Sequence, residues 1–326
     1  SGSESGRHTT PRVRPIVSRI TDVAAVESHV SPGFTPDLNA ILRPMLRGRT
    51  DPTLRLDGTV AWRTAVTPDG PVTQRLVVAD ARVASSCWGP GAEWMATRTP
   101  DLIGANDHGW ATFDPAPGLV ADHWRRHRNS WRVPRAHNVW ESAVAAVLEQ
   151  KVTGLEAKRA WHALAREFGE PAPGPAPEGL RVLPDPQTVR RVPSWWWRRN
   201  AVDRTRSDTI MRLAAIPHVL WRLPHEASSE ARRLLTCVRG VGDWTYAEVA
   251  QRALGDPDAV SVGDFHLAAD LVYALTGSFD GDDEQMLALL QPYTGHRYRA
   301  VRMLELSRVT RPRRGPRFAV PAHRYG

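Results

Sequence analysis

The spacing of apolar residues changes once along this 326-residue chain. Between Thr53 and about Phe113, apolar and polar positions roughly alternate, as at Leu54, Leu56, Val60 and Trp62. A Thr67-Pro68-Asp69-Gly70 turn interrupts the run, and residues 74–79 and 81–84 resume it. Period-two alternation marks half-buried strands, and Pro-Asp-Gly is turn chemistry. The pattern predicts a small antiparallel sheet with one or two helices, the second over residues 91–98. From about Asp122 the period lengthens to that of a helix, with Trp140, Val144, Val147 and Leu148 on one stripe. Further helices are predicted over 154–168, closed by Gly169, and over 203–215, 228–237, 244–254, 264–275, 283–290 and 296–306. Residues 171–186 hold many prolines and no period, the composition of a linker.

The expected fold class is therefore α+β. A small N-terminal antiparallel β-sheet domain with helices (36–121) precedes a mostly α-helical domain (122–306). Residues 1–35, rich in Ser, Gly, Pro and Arg, are expected to form a disordered tail. Residues 307–326 make an arginine-rich C-terminal tail broken by Pro312, Pro316 and Pro321. No internal repeat is present.

Charge gives this outline a direction. The chain carries 43 Lys plus Arg against 35 Asp plus Glu, mostly as arginine. Arginine grips phosphate through a planar fork and displaces condensed counterions, so the surplus favours a polyanionic partner. A GC-rich coding bias would produce the same composition, so charge alone does not establish that partner. With only Cys87 and Cys237, a four-thiolate zinc or iron–sulfur centre is excluded. The lack of a signal peptide or a long apolar run leads to the expectation of a soluble, cytoplasmic protein with no membrane partner.

The stretch from Leu234 to Thr245 concentrates the chemistry. It reads as an apolar helix end, an Arg239-Gly240-Val241-Gly242-Asp243 hairpin and the opening of a second helix; Asp264 then heads a third. Two glycines let an anion approach closely, and the amides that open the following helix face it. Arg239, Gly240, Val241, Gly242, Asp243 and Thr245 are thus candidate phosphate-binding residues. Glycine between helices is also an ordinary connection, and Asp264 by itself reads as a helix N-cap.

Hairpin, flanking helices and downstream Asp together resemble the helix-hairpin-helix (HhH-GPD) DNA glycosylase superfamily, and within it the 3-methyladenine DNA glycosylase II (AlkA) type. The resemblance is strongest over residues 140–306; over the sheet it rests more on element order than on residues. It implies that Asp264 is catalytic, stabilising the positive charge that builds on deoxyribose as a base departs. Bifunctional members carry a lysine two residues after the second hairpin glycine. Trp244 stands there, which implies monofunctional hydrolysis to an abasic site. The resemblance places Trp244 in the base pocket, where an indole face would hold a cationic alkylated purine. Gly263 departs from the two-acid sequence of some relatives.

Glu248 shares a helix face with Trp244 and stands where AlkA-type relatives tend to have an aromatic. It reads either as an acid beside the base or as a solvated surface residue. The family fills the gap left by a flipped nucleotide from the turn after the Trp140 helix. Gln150 or Lys151 would do so here, unless that turn is only a polar loop tip. Ser194-Trp195-Trp196-Trp197-Arg198-Arg199 mixes aromatics with cations, which suits DNA or an exposed base. Three adjacent Trp cannot share one helix face, and Trp196 is the pocket candidate among them. Tyr298 and Met303 are further pocket candidates. His123 and His127 lack a third ligand and read as a solvated face, so no metal site is expected. No cofactor is expected either, although the hairpin could hold a structural monovalent cation.

The expectation is a monomeric, monofunctional DNA glycosylase of base excision repair, nucleoid-associated if bacterial. It would act on double-stranded DNA containing a damaged base, an alkylated or deaminated purine. The alternatives are a non-catalytic helix-hairpin-helix binder of distorted DNA and a glycosylase specialised for other lesions such as bulky adducts.

Overall fold

The computed structural model describes residues 24–312. Five strands form one antiparallel sheet: β1 Val26–Val30, β2 Leu54–Asp57, β3 Val60–Thr67, β4 Gly70–Ala79 and β5 Arg82–Trp88, in the order β1-β5-β4-β3-β2. The Pro-Asp turn joins β3 to β4 where Thr67 faces Gly70, as the sequence predicts. Asp80 and Ala81 both take positive φ (50° and 58°) between β4 and β5. Two such residues give the tight turn whose twist matches paired strands. β1 lies within the stretch expected to be a disordered tail. Its five residues are too few to stand out in a polar segment, and pairing with β5 from Val26↔Cys87 to Val30↔Val83 orders them. Residues 1–23 and 313–326, most of both expected tails, lie outside the described residues.

Helices dominate the remainder, and their ends follow the local chemistry. Asn138 caps the Val139–Glu149 helix by accepting from the Glu141 amide. A Thr153/Glu156 capping box opens the Gly154–Phe168 helix. The Val139–Glu149 helix is buried on every side, with Val139, Ala143, Ala145 and Ala146 as enclosed as the predicted stripe. An all-round apolar helix belongs at the centre of a bundle. The expected linker is pinned to the body as well. Pro171 bridges Arg181, whose guanidinium donates to the carbonyls of Ala165 (3.1 Å) and Gly169 (2.6 Å).

Two large cores result. One surrounds the Val139–Glu149 helix with Trp161, Trp196, Trp197, Ile210, Leu235 and Tyr246. The other joins Leu54, Leu76 and Val83 of the sheet to Trp124 and Trp131, and to Leu271, Met286 and Met303 from the last three helices. The chain thus returns to its own sheet, and the division at 121/122 is not a division of the packing. Helical period locates the late helices but carries no information about which core they bury. No helix among the described residues is long and apolar enough to cross a membrane.

One ion pair locks that return. Arg299, fully buried on the Arg297–Ser307 helix, donates twice to Asp107 (2.7 and 2.8 Å). The guanidinium also lies against the rings of Phe113, Trp124 and Trp131. Asp107 further accepts from the Val133 amide at 2.9 Å. Removing one member leaves an uncompensated buried charge, which costs about 3–5 kcal/mol. Asp107→Ala is expected to lower the unfolding free energy by about that much in urea titration. A loss below about 1 kcal/mol, the scale of an exposed pair, would contradict the buried-pair account.

Candidate active site

The hairpin lies between the Ser228–Thr236 and Asp243–Val249 helices. Gly240 has φ +100°, and a Cβ added there would stand 1.9 Å from Thr209 Oγ1. Both facts demand glycine. Gly242 differs: its φ is −101°, and nothing lies within 4 Å of an added Cβ. Neither the turn nor the packing requires glycine at this second position, and the backbone there is exposed. Val241 anchors the hairpin in the core at 6% exposure. Asp243 pairs with Arg232 (2.8 Å), and the Arg239 carbonyl accepts from Arg212 (3.1 Å).

Gln150 follows the Val139–Glu149 helix and holds the hairpin in place. Its Nε2 donates to the Gly240 carbonyl (2.9 Å) and to Thr245 Oγ1 (2.8 Å). Lys151, exposed and left-handed at φ +53°, makes no such contact. Of the two candidates for plugging a vacated base position, the structure engages one and leaves the other free.

Asp264 lies in a turn ahead of the Leu267–Thr276 helix, not inside it as its predicted span of 264–275 has it. Oδ1 accepts from the amides of His266 and Leu267, each at 2.9 Å. Oδ2 accepts from Trp244 Nε1 at 3.4 Å. The capping role read from sequence is therefore real, and it uses one oxygen. The other lies beside an indole, on a cleft of about 960 Å³ lined by Trp244, Glu248, Asp264 and Tyr298 among others. A carboxylate held in this way can stabilise a cation developing in the cleft or orient a water there.

Glu248 is not the solvated residue that one reading allowed. It is 8% exposed, receiving the Ser261 hydroxyl on Oε1 (2.6 Å) and Arg252 Nη1 on Oε2 (2.8 Å). Burial pushes the carboxyl up, with Arg252 and Ser261 opposing. The pair in turn holds the Arg252 guanidinium charged despite its own burial. Arg252 belongs to a wide π turn, Ala250–Leu254, and its Nε reaches the Pro44 carbonyl at 3.0 Å. Gln251 donates to the Ala259 carbonyl and to Ser261 Oγ, each at 3.0 Å. This network ties the hairpin helix to the loop that delivers Asp264. Sequence reasoning missed Arg252, Gln251 and Ser261. Glu248 and Arg252 stand four apart, a spacing that could have signalled the pair, but nothing local marks Ser261 or Pro44.

Two predicted pocket residues lie elsewhere. Trp196 is fully buried in the helical core, with Nε1 on Glu167 (2.6 Å) and its ring edge-on to Phe168 and Trp197. Successive helix positions diverge, and Trp195, at 54% exposure, is the one that meets solvent. Met303 is fully buried in the sheet-side core and does not line the cleft. His123 and His127 stack at 6.0 Å, and no group of three potential metal ligands occurs among the described residues.

No protein-family model matches the sequence, nor does any curated protein. Solved structures do match. A 3-methyladenine DNA-glycosylase from Archaeoglobus fulgidus superposes with a TM-score of 0.69 at 15% identity, over 86% of this chain and 98% of the other. An 8-oxoguanine glycosylase/lyase from Clostridium acetobutylicum, in complex with double-stranded DNA containing cytosine opposite 8-oxoG, gives 0.63 at 11%, over 86% and 95%. The chain has the fold of the helix-hairpin-helix DNA glycosylases, an α+β architecture with the antiparallel sheet at its N-terminal side.

The two hairpin glycines are expected to behave differently. Gly240→Ala should cost about 1–3 kcal/mol of stability through strain and the Thr209 clash. Gly242→Ala should change stability by no more than about 0.5 kcal/mol. Thermal denaturation of the two variants distinguishes them, and equal losses would contradict the assignment.

Proposed function

We propose that the protein is a monofunctional DNA glycosylase of base excision repair, which hydrolyses the N-glycosidic bond of a damaged purine and leaves an abasic site. One observation carries this reading: Asp264 keeps an oxygen on a cleft beside Trp244, one helix away from a hairpin bare enough for a phosphate. The matching fold of two glycosylases supports it. A DNA phosphate approaches Gly242 and meets the amides that open the Asp243–Val249 helix, which positions the duplex without reading sequence. Rotation of the damaged nucleotide into the cleft costs a few kcal/mol of stacking and pairing. Lys151 fills the vacancy with its alkyl stem, because Gln150 is committed to the hairpin. The base lies against Trp244 with Tyr298 at its edge. As the C–N bond stretches, Asp264 stabilises the positive charge on the sugar and guides water to the anomeric carbon. Trp244 occupies the place where a lyase would need an amine, so no Schiff base forms.

Asp264→Asn should lower single-turnover base release by about 100-fold or more while leaving DNA affinity within about threefold. Mass spectrometry of bases released from a panel of modified duplexes, with fluorescence anisotropy for binding, makes both measurements. Release undiminished in the variant would remove Asp264 from the chemistry. A wild type that binds damaged duplexes tightly and releases nothing would establish a non-catalytic binder instead. Borohydride treatment during turnover should trap no covalent protein–DNA adduct, and an adduct on a denaturing gel would overturn the monofunctional assignment.

A further inference from the structure

Base excision at Asp264 leaves one face of the molecule without a role. Trp195 lies on the exposed side of the Ser194–Arg199 helix, whose other side buries Trp196 and Trp197. Positions three and four apart share a helix face, so the exposed Arg198 and Arg199 flank the indole. Arg190 and Arg191, in the turn ahead of the helix, are exposed as well. None of these four arginines has an ion-pair partner among the described residues.

The positive surplus is local and survives a count of the acids. Between Asp185 and Arg212 the chain carries seven arginines and three aspartates. Glu167, which accepts from Trp196 Nε1, is a fourth acid nearby. The aspartates are engaged too: Asp185 accepts from the Thr188 amide (2.6 Å) and Asp203 from Arg206 (2.7 Å). Asp208 stands between Arg204 (3.6 Å) and Arg212 (3.9 Å). Unpaired guanidinium groups around an indole at 54% exposure suit a polyanion that also carries aromatic rings. An acidic peptide would satisfy the charges and leave the indole bare. A continuous duplex offers phosphates but hides its base faces by stacking, whereas an unpaired nucleotide presents both.

This face is tied to the same framework as the hairpin. From the Arg204–Ala214 helix, Arg212 donates to the Arg239 carbonyl of the hairpin (3.1 Å). Arg206 donates to the Leu148 carbonyl (3.0 Å), just ahead of Gln150 and Lys151, and to the Ala201 carbonyl (2.6 Å), just behind the Trp195 helix.

We infer that the Trp195 face is a second nucleic-acid site, which takes single-stranded DNA. Trp195 stacks on an unpaired base, and Arg190, Arg191, Arg198 and Arg199 hold the neighbouring phosphates. Such binding needs no base release, so it is independent of the glycosylase reading.

Fluorescence anisotropy with a labelled oligothymidylate of about ten nucleotides tests this, with an undamaged duplex as the control. Trp195→Ala should weaken binding of the single strand by at least about fivefold and change duplex affinity by no more than about twofold. Trp195→Phe, which keeps a ring for stacking, should stay within about threefold of wild type. In R198Q/R199Q the slope of log affinity against log salt for the single strand should become shallower by about 1–1.5. Circular dichroism establishes that each variant is folded. A wild type that does not bind the oligothymidylate, or a Trp195→Ala variant that binds it as wild type does, overturns the inference. Equal losses for single strand and duplex would make the face a general duplex contact and overturn it as well. Tighter binding of an oligouridylate than of the oligothymidylate would make the partner RNA, against the assignment to DNA.

Discussion

The geometry of the cleft depends on the buried Glu248–Arg252 pair. Arg252 bonds to the Glu248 side chain, to the Glu248 carbonyl and to the Pro44 carbonyl, and Glu248 holds Ser261. Three segments therefore meet on two side chains: the turn between β1 and β2, 208 residues away from Arg252 in sequence, the hairpin helix and the loop that ends at Asp264. A buried pair of this kind contributes little net stability against apolar residues of the same size. Its value lies in direction, since charge-assisted bonds tolerate few alternative arrangements. The wide turn at Ala250–Leu254 fits this role, because regular winding would carry Arg252 along a different line.

Arg299 and Asp107 apply the same device elsewhere, closing the late helices onto the loops that follow the sheet. Between these two pairs, the Arg297–Ser307 helix is held so that Tyr298 faces the cleft while Met303 faces the core. The site is thus assembled from both cores and from the seam between them. That helps a cleft with so many charged side chains persist: Glu248 is matched by Arg252 and Glu149 by Arg47.

Much of this was legible in the residues. Gly240, Gly242 and the apolar Val241 between them announce a turn with its anchor, and local backbone chemistry suffices to form it. Asp264 ahead of a helix declares a cap, and the cap is present. The strands of the sheet follow from alternation and from one Pro-Asp turn. Trp196 was misread because a composition of aromatics and arginines says nothing about rotation about the helix axis. Only packing against Phe168 and Glu167 settles which indole turns inward. β1 was missed because its order comes from a neighbouring strand and not from its own five residues.

The sequence by itself determined the succession of most helices and of the strands after β1, the hairpin, and the placing of one carboxylate twenty residues beyond a tryptophan. These are local properties, set by backbone preferences and side-chain period over a few residues. Tertiary structure alone decided that Glu248 is spent on Arg252, that Gln150 is bound to the hairpin, and that Arg43 and Lys158 stand in one cleft with Asp264. Such pairings depend on which distant surfaces are brought together when apolar faces are buried, and no window along the chain encodes that distance.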